Sequence, residues 1–323
     1  MGSVPTFPTI ENPAWAALRE RWLNRHERQL PSLRLDRAST GVQSAGDGTD
    51  IAVTKQRIWL DCLPDSFAGF RILQISDIHH SLFYPLHRVA AAVELANRLK
   101  PDLIALTGDF VTYSRASIEP AAEMLGSLEA RMGVFAVLGN HDFRVDANAV
   151  TRALRRRRIE VLRNRHVLLH DRGDILPIAG VDDFRYGADI EASLRGVPEG
   201  VPTVLLAHNP RLVTLAACYG VGLVLSGHTH GGQVNLPLLG SVYGRSPEQL
   251  RFKKGWDRCG STQIYVSRGI GTIVLPWRFR CPAEIPLLEL ETHDAQSSGM
   301  AGGIYRQTPT DLASRAARAL PAD

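Results

Sequence analysis

No stretch of the 323-residue chain approaches the roughly 18 consecutive apolar residues that a membrane-crossing helix needs. The first thirty residues also lack the apolar core of a secretory signal. Cysteine is scarce: Cys62, Cys218, Cys259 and Cys281 stand far apart with no C-x-x-C pair, a pattern that suggests neither a zinc ribbon nor a disulfide framework and suits a reducing compartment. Together these absences set the expectation of a cytoplasmic protein. Excess charge is small as well. The formal net charge of +4 permits affinity for anionic lipid or a phosphorylated ligand but is too weak to point to nucleic acid. What is present, 44% hydrophobic and 22% charged residues, argues against disorder and against a fibre, and leaves one large domain with extensions or two smaller ones.

Three regions differ in texture. Residues 1–50 begin Pro-rich and end in a polar Ser/Thr/Gly run from Ala38 to Asp50 that reads as a linker. Between them, Trp15, Leu18, Trp22 and Leu23 fall at helical spacing among arginines, which predicts an amphipathic helix from Pro13 to Leu30. Residues 51–292 carry short apolar runs at 71–76, 102–106, 134–138, 175–181, 204–207, 223–226, 264–267 and 285–290, of the kind found in strands buried on both faces. Helix-forming stretches at Leu86–Lys100, Ile118–Arg131 and Asp146–Arg158 separate several of them, so the expected class is α/β. Residues 293–323 turn polar before a last helical pattern from Thr310 to Leu320 and read as a tail.

Five of the predicted strands end in residues able to bind metal: Asp77 and His79, Asp109, Asn140-His141-Asp142, His208, and His228 with His230. Ligand chemistry in open α/β sheets collects at the carboxyl ends of strands, so these five ends can converge on one site. Asp77 and Asp109 are 32 residues apart and Asp109 and Asn140 are 31 apart, each about the 30 residues of one strand-helix-strand unit. Asp77 with His79, and His228 with His230, are two apart, and in extended backbone each pair shares a face. Alone, any of these short patterns is ordinary turn chemistry. The joint pattern predicts a metal centre. The donors are carboxylate, carboxamide and imidazole without thiolate, which suits Mn, Fe, Zn, Co or Ni better than a dedicated Mg or Ca site.

In this order, D-x-H, GD, GNHD, a strand-borne His and GHTHGGQ resemble the calcineurin-like metallophosphoesterases, over about Ile51 to Leu290. The segments LPDSFAGFRILQISDIH and LPWRFRCPAEIPLL are similar to a bacterial branch that includes membrane-associated and exported members. The resemblance implies an α/β sandwich of two packed β-sheets flanked by helices. It implies two divalent ions, Mn the leading candidate, held by Asp77, His79, Asp109 and His230 and by Asp109, Asn140, His208 and His228. Asp109 is then shared, and an acidified water between the ions attacks the phosphorus. It further implies that His141 stabilises charge or protonates the leaving oxygen, with Asp142 orienting it, and that Arg278 lies close enough to meet a second phosphate or headgroup.

The implied activity is hydrolysis of a phosphoester or pyrophosphate bond. The apolar Trp277 and Phe279 hint at a lipid- or nucleotide-sugar-linked substrate. A soluble nucleotide phosphodiesterase is the alternative, and a non-catalytic scaffold is disfavoured because every ligand position is filled. Relatives in that branch place a lipid-directed anchor before the catalytic domain, so the N-terminal helix is expected to touch an anionic membrane peripherally, core packing or a dimer contact being the other readings. Asp182-Asp183 reads as a turn, and Arg155–Arg158 as a solvated helix end.

Overall fold

The computed structural model describes residues 42–44, 51–81, 84–236, 240–241 and 252–292. The helices expected at Pro13–Leu30 and Thr310–Leu320 lie outside the described residues.

One sheet runs in the order β1 (Val42–Ser44), β2 (Ile51–Trp59), β15 (Ala283–Glu291), β3 (Phe70–Ile75), β4 (Leu103–Leu106), β5 (Val134–Ala136), β6 (Ile159–Val161). The other runs β13 (Gly255–Cys259), β14 (Thr262–Val266), β10 (Leu223–Ser226), β9 (Val204–Leu206), β8 (Asp174–Gly180), β7 (Arg165–Asp171). A two-stranded ribbon joins β11 (Asn235–Leu236) to β12 (Gly240–Ser241). Strands β3 to β6 are parallel and joined through α1 (Leu86–Arg98), α2 (Ile118–Leu125) and α3 (Asn140–Arg156), the crossover arrangement that parallel pairing requires.

The apolar runs act on both of their faces. Along β3, Leu73 and Ile75 enter the cluster under α1–α3, whereas Phe70 and Ile72 enter the cluster between the sheets. In β4, Ile104 and Leu106 take the first side and Leu103 and Ala105 the second. The same period-2 division fills the interlayer from the opposite sheet with Ile178, Val204, Leu206, Leu223 and Leu225. The chain therefore forms the expected sandwich of two sheets with helices packed on it.

Two differences have local causes. Val42–Ser44, inside the run read as a linker, pairs antiparallel with β2; a three-residue strand is too short to show alternation. The helix expected from Asp146 begins earlier, at Asn140, but is broken at Asp146, whose backbone is extended (φ 179°, ψ 94°). Asp146 Oδ1 accepts from Ala149 N at 2.9 Å, so the expected boundary is the cap of a second helical segment.

Leu225 is fully buried in the interlayer. Leu225→Ala should lower the unfolding free energy by about 2–5 kcal/mol, read from a urea midpoint that falls while the slope stays constant.

Candidate metal centre

The five predicted strand ends meet where the two sheets abut. Asp77 and His79 follow β3, Asp109 follows β4, and Asn140 and His141 open α3 after β5; His208 follows β9, and His228 and His230 follow β10. The loops extend the strand pairing: Asp77 N donates to Gly108 O at 3.0 Å, His79 N to Asp109 O at 2.9 Å, and Gly227 N to His208 O at 3.0 Å. Hydrogen bonds tie the sheets together at this end. His228 N donates to the Asp77 carboxylate at 3.0 Å, and Gln74 Nε2 donates to Ser226 O at 2.9 Å.

Convergence does not come from extended backbone. Asp77, His79, Asp109, His228 and His230 all have left-handed φ, between 51° and 70°, at roughly 1–2 kcal/mol each for an L-residue. Such strain persists only where surrounding structure over-determines it. Close packing contributes to that: a Cβ at Gly139 would collide with the Asp109 carboxylate, and one at Gly227 with Ser76 and Asp77.

Ligand atoms gather in three overlapping groups, each within 4.8 Å: Asp77, His79 and His230; His79, Asp109 and His141; Asp109, His208 and His228. Asp109 Oδ2 lies 3.2 Å from His208 Nε2 and 3.5 Å from His79 Nε2, and Asp77 Oδ1 is 3.4 Å from His230 Nε2. Imidazole nitrogens face one another, His79 Nε2 to His230 Nε2 at 3.0 Å and His228 Nδ1 to His208 Nε2 at 3.2 Å. Asn140 Oδ1 is buried without a hydrogen-bond partner. Nitrogen opposite nitrogen beside an orphaned carboxamide oxygen is a poor set of mutual hydrogen bonds and a good set of donors to a divalent cation.

Other groups fix the ring orientations. His208 Nδ1 donates to Thr107 O at 2.7 Å and His141 Nδ1 to Thr112 O at 3.1 Å. A carbonyl only accepts, so in each ring Nδ1 carries the proton and Nε2 is turned inward. Thr112 Oγ1 lies 3.3 Å from His79 Nδ1. Burial lowers His79 to about 3 and His228 to about 4, so both are neutral and ready to ligate. Burial opposes charge on His208 too, but Asp109 outweighs it and raises His208 to about 10. Burial would raise Asp109 in turn, yet His208, followed by His79 and His141, holds it well below the ordinary carboxylate value.

Two expected roles change. The Asp142 carboxylate is not hydrogen-bonded to the His141 ring. It accepts from the amides of Asp109, Phe110, Gly139 and Val111 at 2.8–3.3 Å, which makes it the cap that binds the Asp109 loop to the start of α3. Burial and then Asp109 push its carboxyl up to about 7, against those donated hydrogen bonds. Orientation of His141 comes from Thr112. Arg278 has its guanidinium spent on backbone: it donates to the carbonyls of Gly271, Arg268, His230 and Cys281 at 2.5–3.4 Å. It braces the loop instead of offering its head to a ligand.

Gln233 was missed from the sequence, and only its place beside GHTHGG could have signalled it. Fully buried with φ 46°, it donates through Nε2 to the carbonyls of Ile273, Leu275 and Trp277 at 2.9–3.2 Å and accepts at Oε1 from Ile273 N at 2.9 Å. The Asp182-Asp183 turn is also more than a turn. Arg163 grips Asp182 through two contacts of 2.8 Å, while Asp183 is fully buried and its charge reaches His208.

The calcineurin-like phosphoesterase profile matches residues 70–232, the span that contains all seven expected ligands. An uncharacterized metallophosphoesterase of Bacillus subtilis, YkuE, is 34% identical over 249 residues, 75% of this chain and 86% of the relative. Phosphodiesterase YaeI of Escherichia coli is 32% identical over 235 residues, 70% and 84% of the two chains. A metallophosphoesterase of Aquifex aeolicus is 33% identical over 251 residues, 75% and 92%. Among the described residues, no helix is long and apolar enough to cross a membrane.

Gln233→Leu should strand four backbone groups and cost at least about 1–3 kcal/mol. Thermal unfolding measures the loss, and faster amide exchange confined to residues 273–279 would locate it.

Proposed function

Because the chain belongs to the calcineurin-like phosphoesterase family, whose members are metal-dependent phosphoester hydrolases, we propose that it works through two divalent ions sharing Asp109. Asp77, His79 and His230 complete one set of ligands; Asn140, His208 and His228 complete the other. The observation that carries this reading is the position of Asp109 Oδ2, within 3.5 Å of imidazole nitrogens belonging to two different donor groups. Bound there, divalent ions supply Lewis acidity towards phosphoryl oxygens and acidify water towards neutral pH. The nitrogen and oxygen donor set supports manganese as the first metal to try.

The chain's own residues do the rest. His141 keeps a proton on Nδ1 through the Thr112 carbonyl, and the residue lines the same pocket as Asp109 and Asn140. There it holds a proton for the leaving oxygen or a charge for the developing phosphorane. The pocket, of about 210 Å³, has Ile273 and Val274 on one wall. Val274 is 60% exposed, and Trp277 and Phe279 farther along the same loop are 49% and 40% exposed. This apolar lip favours substrates whose phosphoester carries an apolar portion, including a lipid- or nucleotide-linked one.

Metal analysis and turnover test the reading together. The reconstituted protein should carry two ions per chain, and Asp109→Ala should lose both, since each set loses a ligand; one ion per chain at saturation would sink the shared-carboxylate centre. On an aryl phosphodiester, His141→Ala should retain its metal while kcat falls by roughly 10²–10⁴. Wild-type turnover by that variant on a poor leaving group would remove His141 from the proton step.

A further inference from the structure

With Arg278 committed to backbone, Lys253 is, among the described residues, the lysine or arginine that lines the pocket together with Asp109, Asn140, His141, His228 and His230. It is anchored at both ends. Its carbonyl accepts from Thr229 Oγ1 at 2.6 Å, and Thr229 lies between the two imidazole ligands of the turn. Its Nζ donates to Asn235 Oδ1 at 2.9 Å, and Asn235 Nδ2 in turn donates to Gly231 O at 3.2 Å. A lysine head is normally mobile; this one is held in place before any ligand arrives, which reduces the ordering cost of binding.

Among the described residues no carboxylate pairs with Lys253, and its one hydrogen-bond acceptor is a neutral amide. An ammonium has three donors, so two remain. Burial and the adjacent Lys254 disfavour the charged form, and divalent ions in the neighbouring centre would disfavour it further. An unpaired cation beside a cationic centre becomes favourable when an anion joins them. The Asp77 and Asp109 carboxylates are not that anion, because neither makes an ion pair with Nζ.

We propose that Lys253 is a specificity-determining residue that binds a second anionic group of the substrate, separate from the phosphoryl group being cleaved. The preferred substrates are then bisphosphates, diphosphates or phosphodiesters with an additional phosphate or carboxylate. The inference rests on the phosphoesterase reading above.

The test uses the manganese-loaded full chain and a matched pair, the 4-nitrophenyl ester of thymidine 5′-phosphate with and without a 3′-phosphate. The wild-type protein should prefer the 3′-phosphorylated ester. A charge-assisted hydrogen bond of the usual strength corresponds to about 10- to 100-fold, so Lys253→Met should reduce the ratio of the two kcat/KM values by that factor, mainly through KM, and Lys253→Arg should restore part of it. Calorimetric titration of the same proteins with thymidine 3′,5′-bisphosphate and thymidine 5′-phosphate reads the preference without turnover. A wild-type protein with no preference in either assay, or a ratio unchanged in Lys253→Met with native thermal stability, would overturn the proposal. So would equal losses on both esters, which would place the ammonium on the reacting phosphoryl group. If neither ester is cleaved but the calorimetric preference is present and needs Lys253, the phosphoesterase reading fails and the anion site stands.

Discussion

The structure is organised around one buried carboxylate. Asp109 is 2% exposed, and an isolated ion at that depth would cost several kcal/mol. Each feature near it offsets that cost or fixes the geometry by which it is offset. Its Oδ1 accepts from His141 N at 2.8 Å, and its Oδ2 faces His79 and His208. Asp142, one residue beyond His141, holds the Asp109 amide from the other side at 2.8 Å. Replacement of Gly139 by any other residue would push a Cβ into the carboxylate. A cation at this point would relieve the electrostatics and the opposed imidazole nitrogens together.

The sandwich makes such a site affordable. Five residues of the centre sit in left-handed backbone. Their loops are clamped between two sheets whose shared interior is dominated by apolar side chains, with Leu103, Leu176, Ile178, Leu206 and Leu223 all inaccessible to solvent. The loops cannot relax without separating strands, so burial far from the chemistry maintains strain within it.

This division explains what the sequence discloses. Strand ends were legible because buried parallel strands must be continuous apolar runs, and a polar residue just past such a run is conspicuous: Asp77 after Ile75, Asp109 after Leu106, His228 after Ser226. The spacing of Asp77, Asp109 and Asn140 followed from the length of a crossover unit. Short strands such as β6, and the half-exposed β7 and β13, have no such runs and left no mark. The roles of Gln233, Thr112 and Arg278 were hidden for another reason. Their work is done on backbone carbonyls, whose positions depend on the folded loops and leave no pattern in side-chain chemistry. The same blindness made Asp142 look like a partner of its neighbour His141 when its partners are four amides.

Gln233 and Arg278 act in opposite directions across the same gap. Gln233, on the turn that presents His230, reaches to the carbonyls of residues 273, 275 and 277. Arg278, on the later loop, reaches back to the carbonyl of His230 at 3.4 Å and doubly to Gly271. Gly271 N itself donates to Asp77 O at 2.8 Å. Two metal-site residues and the apolar wall at Ile273 and Val274 are thereby cross-linked through backbone groups that neither sheet supplies. A change in the wall is transmitted to His230 and Asp77 by hydrogen bonds that cannot lengthen independently. On the proposed function, the buried Gln233 and Arg278 are the residues that fix the exposed lip to the candidate metal ligands beneath it.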